Sequence, residues 1–189
     1  LKEKGEQVID LEHLAQHQGS SYGTLGYLIQ PTQEQFENDL AHELSLLDPA
    51  SRVWIEDESL TIGKRMIPKA LWLQMRQAPL FRLDVPINQR IEVLAREYGV
   101  LNKEFLIECT ERIGRRLGPE QTRDSITAIR EGRISDFVRK VLVYYDKTYT
   151  TGQSRRESII YTIECTAADT EKNTAAVLQT TKDLEYTNG

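Results

Sequence analysis

The chain has 189 residues, of which 39% are hydrophobic and 28% are charged, and its formal net charge is −5. This composition is typical of a soluble chain with one domain, or one domain and a small appendage, and it excludes collagen-like, wholly disordered and membrane classes. The modest negative charge provides no global basic field, so any nucleic acid would have to bind a local patch.

The cysteine content and the first residues favour a cytoplasmic protein with no membrane partner. Cys109 and Cys165 are too few for a disulfide framework and lack the spacing of a zinc or redox pair, so we expect them to be packing residues. No apolar run reaches the roughly 18 residues of a membrane span, and no signal-peptide core is seen. The start at Leu1, in what reads as the end of a helix stopped by Gly5, predicts that the chain is a fragment.

Predicted strands and helices alternate in the first half of the chain. An apolar strand over 7–11 precedes a turn-rich loop over 13–26. The spacing of Thr32 and Gln35 is that of a capping box, which predicts a helix that ends at 48–49. The next predicted elements are a strand over 53–55, a helix from Pro68 to just before Pro79, and a strand over 81–85.

The second half is predicted to be mainly helical. An amphipathic helix over 87–98 stops at Gly99, and three further helices follow over 103–117, 119–130 and 135–145. A last strand is predicted over 158–165, and the tail from Thr166 is expected to fray. We therefore divide the chain into an α/β core over 1–100, a helical segment with the last strand over 101–165, and a flexible tail over 166–189.

Alternating strands and helices favour a mostly parallel sheet, in which ligands bind at the carboxyl ends of the strands. An acidic run follows the strand 53–55 at such an end. P-loop proteins use carboxylates there to hold Mg²⁺ or to orient an attacking group, whereas a solvated acidic turn is the alternative. The phosphate-cradling GxxxxGK[ST] motif does not occur in the chain. The run consists of Glu56, Asp57, Glu58 and Ser59, and strand alternation aims Asp57 away from both glutamates.

The loop after the first predicted strand is rich in glycine and serine. Backbone N–H groups and hydroxyls in such turns bind anions, although a plain flexible turn has the same composition. His13 and His17 nearby lack a third zinc ligand, so at least one of them is expected to pack or to form hydrogen bonds. The candidate anion-binding residues are Gly19, Ser20, Ser21 and Gly23.

Two features of the helical segment are candidates for RNA binding. Arg115 and Arg116 are adjacent just before Gly118, which suits phosphate contacts, although mixed charge more often marks a solvated helix face. Tyr145 lies in a cluster of tyrosines that is either a packing element or a stacking surface for a base.

Taken in order, these segments resemble one family. The matching sequence segments are QVIDLEHLAQHQGSSYG, QPTQEQFENDL, WIEDESLTIG, RIGRRLG and YYDKTY, and they span about 7–149. They resemble the carboxy-terminal P-loop domain of bacterial tRNA 2-selenouridine synthases. The resemblance implies a P-loop NTPase-like parallel sheet that lacks its first strand, with an added helical layer.

The resemblance also implies an activity and ligands. Members of the family replace the sulfur of 2-thiouridine at the tRNA wobble position with selenium from selenophosphate, through an S-geranylated uridine made from geranyl diphosphate. They carry an amino-terminal rhodanese-like domain with a catalytic cysteine. This portion is therefore expected to bind tRNA and diphosphate ligands in the intact enzyme, with Mg²⁺ as a candidate cofactor, and to be inactive alone.

The family pattern also implies roles for individual residues. The glycine-serine residues fall on the family word HRGSxFG and the acidic run on EDESR, and Lys64 joins them as a ligand-phosphate contact. No catalytic residue or metal ligand is assigned. The residues implied to bind tRNA are Arg115, Arg116, Tyr145, Asp146 and Tyr149.

Two departures from the pattern leave alternatives open. Gln18 and Leu60 stand where the family usually has arginine, and Lys64 or Arg65 is expected to replace only part of the lost charge. The first strand, the P-loop and the rhodanese-like domain would lie outside this chain. The alternatives are a non-catalytic RNA- or nucleotide-binding module, a degenerate remnant of that enzyme, or a nucleotide-kinase-like phosphotransferase.

Overall fold

A computed structural model describes residues 1–187, and it confirms the predicted α/β class. The strands are β1 (Gln7–Ile9), β2 (Val53–Ile55), β3 (Thr61–Ile62), β4 (Arg65–Met66), β5 (Leu80–Asp84) and β6 (Ile160–Glu164). The helices are α1 (Leu11–Ala15), α2 (Gln33–Ser45), α3 (Lys69–Gln77), α4 (Ile87–Gly99), α5 (Lys103–Leu117), α6 (Pro119–Arg130), α7 (Ile134–Gln153) and α8 (Thr170–Thr187).

The strands pair two by two. β1 lies parallel to β2, β5 lies parallel to β6, and β3 and β4 form a short antiparallel hairpin that was not predicted. In residues 1–187, β2 and β5 do not pair, so the predicted parallel sheet is present as two separate parallel pairs. The two pairs touch through Trp54 and Phe81, whose ring centroids are 5.1 Å apart.

A first core forms around β1 and α2. The capping spacing predicted the start of α2 correctly, because the Thr32 hydroxyl accepts a hydrogen bond from the Gln35 N–H at 3.1 Å. Phe36 and Leu40 on this helix are buried together with Ile9 of β1. This packing fixes the end of β1, which α1 and the glycine-serine loop follow.

A second, larger core joins α4, α5, α6 and α7, which confirms the helical layer. Tyr22, from the loop after α1, is fully buried in it and lies edge-on to Phe137 with ring centroids 5.6 Å apart. The loop is therefore anchored in the helical layer. Cys109 is buried here, Cys165 is buried beside β6, and neither forms a disulfide, as expected of packing residues.

The last part of the chain differs from the prediction. In place of a flexible tail from Thr166, residues 170–187 form α8, in which Val177 is buried against Ile163 and Cys165. The remaining two residues of the predicted tail lie outside the described residues. Across the described part of the chain, none of the helices has the length and apolar character needed to cross a bilayer.

Candidate functional site

The parallel pairing of β1 and β2 brings the two strand ends together. Ile9 lies opposite Ile55, so Asp10 and Glu56 follow at the same edge. The Asp10 carboxylate caps α1 by accepting the His13 N–H at 2.8 Å. Glu56 accepts the Leu11 N–H at 3.0 Å. The acidic run is thus fixed against the start of α1, at the strand ends where a site was predicted.

The glycine-serine loop lies directly on the acidic run. Gly19 has a φ of 64°, and a Cβ atom built there would lie 2.7 Å from Glu58 Oε1 and 2.9 Å from Glu12 Oε1. Glycine is required here because a side chain would meet both carboxyl groups. Two segments predicted separately from the sequence are therefore neighbours.

Three glutamates of this cluster hold their protons more tightly than free carboxyl groups. Burial, and then the charge of Glu58, raise the pKa of Glu12 to about 7. Burial also raises the pKa of Glu56 to about 7. Burial and the charge of Glu56 raise the pKa of Glu58. The cluster is therefore partly protonated near neutral pH, which weakens its repulsion of an anionic ligand.

Asp57 points away from this cluster, as strand alternation predicted. Its carboxylate forms an ion pair with Arg156, whose side chain is only 3% exposed. Arg76 lies 3.7 Å from the same carboxylate. Arg156 also donates to the carbonyl oxygen of Ala78 at 3.1 Å. Sequence reasoning missed Arg156, because its partners are about 80 to 100 residues earlier and no local motif marks it.

The acidic run does not form a ready magnesium site. Within the described part of the chain, no group of three or more acidic, histidine or cysteine side chains is arranged to hold a metal ion. Glu56 is bound to a backbone N–H, Glu12 is hydrogen-bonded to Glu58, and Asp57 is held by arginine. The carboxyl groups therefore already have partners.

The loop is also fastened to the helical layer. The Ser21 N–H donates to the Tyr145 hydroxyl at 3.0 Å, and the Ser21 hydroxyl donates to the carbonyl oxygen of Cys109 at 3.2 Å. The Ser20 hydroxyl accepts the Tyr22 N–H at 3.1 Å. Tyr145 is half-buried and packs against the helical core. Both serines thus stabilise the loop in this state, and Tyr145 links it to α7.

The buried imidazole of His17 packs against the glycine-serine loop, which confirms the packing role expected of at least one histidine. Its side chain is buried between Gly23 and Gly63, where Cβ atoms would come within 2.5 Å and 2.7 Å of the imidazole ring. Its Nδ1 atom is buried without a hydrogen-bond partner among residues 1–187, and burial followed by the charge of Arg112 lowers its pKa. Lys64 is exposed on the adjacent β3–β4 turn.

The remaining residues predicted to bind tRNA have different surroundings. Tyr149 is 58% exposed as a whole residue, but its hydroxyl end is desolvated, and this desolvation, followed by the charge of Glu58, raises its pKa to about 12. Asp146 accepts hydrogen bonds from the two terminal guanidinium nitrogens of Arg90 at 2.7 and 2.9 Å. Tyr149 therefore extends the site towards the acidic cluster, whereas Asp146 fixes α7 to α4.

Arg115 and Arg116 lie exposed in the last turn of α5. One turn earlier, Arg112 donates to the Ser21 carbonyl oxygen at 3.4 Å and to Cys109 Sγ at 2.6 Å. The basic end of α5 therefore begins beside the glycine-serine loop and leads away from it. Of the sequence-predicted residues, Glu58 and Tyr145 contact this loop, whereas Asp57, Asp146 and the arginine pair have their surroundings elsewhere.

Comparisons with known proteins agree on one family. A family model for the AAA domain of tRNA 2-selenouridine synthase matches residues 1–136. The chain is 41% identical over 139 residues to a tRNA 2-selenouridine synthase of a Sulfurovum species, an alignment that covers 64% of this chain and 38% of that protein. It is 33% identical over 163 residues to the one of Cupriavidus pinatubonensis, covering 78% and 43%.

A further relative, the tRNA 2-selenouridine synthase of Bdellovibrio bacteriovorus, is 38% identical over 106 residues, which cover 54% of this chain and 27% of that protein. The chain thus spans less than half the length of the curated relatives named here. No solved structure matches the chain significantly.

Proposed function

Because the chain belongs to the tRNA 2-selenouridine synthase family, we propose that it is the portion of such an enzyme that binds tRNA and diphosphate ligands. In the intact enzyme it would serve the exchange of sulfur for selenium in 2-thiouridine, with selenophosphate and geranyl diphosphate as substrates. A rhodanese-like domain outside this chain would complete the enzyme.

The observation that carries this proposal is the convergence of distant segments on one loop. Ser21 meets Tyr145 across 124 residues of sequence, and Gly19 lies against Glu58. Residues that only hold a core together need not gather glycine, serine, carboxyl and tyrosine groups at strand ends. Such a combination suits a polar ligand whose charge is shared among several donors.

The diphosphate is proposed to lie at the margin of the loop that faces Lys64. His17 contacts Gly23 and Gly63, so the loop and the β3–β4 turn share one edge. Lys64 is exposed there and supplies a positive charge. The raised pKa values of Glu12 and Glu56, about 7, lower the negative charge that a diphosphate would meet nearby. Bound phosphate oxygens would compete for the N–H groups that the loop now uses internally.

We also propose that the intact enzyme has a further parallel strand between β2 and β5. Both belong to parallel pairs, and their facing edges are unpaired in residues 1–187. Unpaired edges expose backbone donors and acceptors, which proteins normally cover. A strand from another part of the enzyme would join the two pairs into the single sheet that the P-loop resemblance implies.

The proposed tRNA contact is tested by replacing the arginine pair in the full-length protein. Arg115→Ala combined with Arg116→Ala is expected to weaken tRNA binding about tenfold at low salt and to make the salt dependence less steep by about two ions. Fluorescence anisotropy with labelled tRNA at several salt concentrations measures both. Arg96→Ala is the matched control, because Arg96 is an exposed arginine on α4 that pairs with Glu92. Unchanged affinity and salt dependence in the double variant would remove the pair from the site.

A binding-only role is the second candidate. It is favoured by the engagement of Ser20, Ser21 and Asp57 in bonds within the chain. Such bonds leave these groups less available for a reacting ligand. A protein of this kind would bind tRNA with the same arginines but would produce no modified nucleoside.

A further inference from the structure

Basic side chains are concentrated in one part of an acidic protein. Residues 112–140 contain eight arginine or lysine residues and four acidic ones, whereas the whole chain has 24 basic and 29 acidic residues. Arg133 is neutralised by Glu131 and Asp136, and Lys140 pairs with Asp124. The basic residues that remain face solvent mainly along α5 and α6.

Three of these arginines line a groove between α5 and α6. The groove has a volume of about 680 Å³, and Arg115, Arg123 and Arg130 contribute to its walls. All three are exposed, and Ile126 lies between the latter two on α6. Glu111 is the one carboxylate in this lining. The groove therefore presents three guanidinium groups against a single negative charge.

Close packing of the two helices brings these arginines together. A Cβ atom on Gly114 would lie 3.3 Å from the Thr122 side chain, and the Thr122 hydroxyl donates to the Gly118 carbonyl oxygen at 2.7 Å. The contact sets Arg115 beside Arg123. Arg123 and Arg130 are seven residues apart on α6, which is two helical turns or about 10.5 Å.

We propose that this groove binds the sugar-phosphate backbone of RNA, as an extension of the tRNA contact at Arg116; this inference rests on the proposed function. A single phosphate is too small to reach all three arginines, whereas a nucleic-acid strand offers a row of them. Guanidinium groups bind phosphate through paired hydrogen bonds. Ile126, between the charges, offers an apolar contact for a ribose. Like charges that face one groove repel one another in the free protein, and bound phosphates would relieve this repulsion.

If the groove binds RNA, two variants of the full-length protein should change tRNA affinity in opposite directions. Arg123→Ala combined with Arg130→Ala is expected to weaken tRNA binding about tenfold at low salt and to reduce the salt dependence by about two ions. Glu111→Gln is expected to strengthen binding severalfold, because it removes the opposing charge. Anisotropy titrations with labelled tRNA at several salt concentrations measure both effects.

Arg139→Ala is the matched control, because Arg139 is an exposed arginine in the same basic segment, on α7 and outside the groove lining. It should change affinity less than twofold. Wild-type affinity in the groove double variant would overturn the groove while leaving the proposed tRNA binding intact. An equal loss per arginine in Arg139→Ala would also overturn the groove, because net charge alone would then explain the effect. Absence of tRNA binding by the wild type would overturn both the groove and the proposed function.

Discussion

Arg156→Ala is expected to lower the free energy of unfolding by about 2–4 kcal/mol, because it removes a buried guanidinium together with several charge-assisted hydrogen bonds. The Arg156 side chain is 3% exposed and pairs with Asp57. It also donates to the carbonyl oxygens of Met75 and Ala78 at the end of α3. Alanine would leave these acceptors without their donor, and the Asp57 carboxylate would keep only the more distant Arg76.

Urea denaturation of the full-length protein measures this loss. Arg155→Ala is the matched control, since Arg155 is the exposed neighbour of Arg156 and surface substitutions change stability by no more than about 0.5 kcal/mol. The loss of unfolding free energy in Arg156→Lys should lie between the losses in Arg156→Ala and Arg155→Ala, because lysine keeps the charge but cannot donate in as many directions. A loss of less than about 1 kcal/mol in Arg156→Ala would contradict the buried role assigned to this arginine.

Gly63→Ala is expected to cost about 2–4 kcal/mol in unfolding free energy, through backbone strain and overpacking together. Gly63 has a φ of 58°, and its Cβ would lie 2.4 Å from Gln30 Oε1 and 2.7 Å from His17 Cδ2. His17 is buried between Gly63 and Gly23 and cannot move aside without disturbing the glycine-serine loop. Thermal and urea unfolding should both record the loss.

Gly152→Ala is expected to change stability in the opposite direction. Gly152 lies in α7, and in the described part of the chain no atom outside its own stretch of helix is within 4 Å of the Cβ position. Alanine there should raise stability by up to about 1 kcal/mol, because alanine is the better helix former. If both glycine variants changed stability equally, the close packing of His17 against the β3–β4 turn would be contradicted.

Local signals were enough to predict much of the secondary structure. α5 and α6 have the bounds that their sequence predicted, because Asn102 caps the first by accepting the Phe105 N–H and Gly118, with a φ of 95°, separates the two. The start of α2 followed from Thr32 in the same way. Helix ends of this kind depend on a few neighbouring residues and are therefore visible in a single sequence.

Elements that depend on distant contacts were not predicted. α7 continues to Gln153, eight residues beyond its predicted end, where Arg82 donates to the Gln153 side chain and Arg76 donates to the Gly152 carbonyl oxygen. α8 lies in a Thr- and Ala-rich segment, and its Val177 packs against residues of β6 and beyond. Tertiary packing of this kind overrides weak local preference.

In the candidate site, too, features set by local sequence were predicted, whereas features set by distant contacts were not. Strand alternation and the rule for strand ends located the acidic run and the orientation of Asp57. The partners of Ser21 and Asp57 could not be predicted from the sequence, because Tyr145 lies 124 residues after Ser21 and Arg156 lies 99 residues after Asp57. The protonation of Glu12 also depends on Glu58, which comes near only when β1 and β2 pair.

The most direct test of the central claim is the nucleoside content of tRNA. The full-length protein would be expressed in bacteria whose own synthase gene is deleted, and the tRNA would be digested and analysed by mass spectrometry. Wild type should restore 2-selenouridine, and Arg115→Ala combined with Arg116→Ala should restore much less at equal protein level. Absence of both 2-selenouridine and S-geranylated uridine with the folded wild-type protein would contradict the claim that this chain is part of a tRNA 2-selenouridine synthase at work.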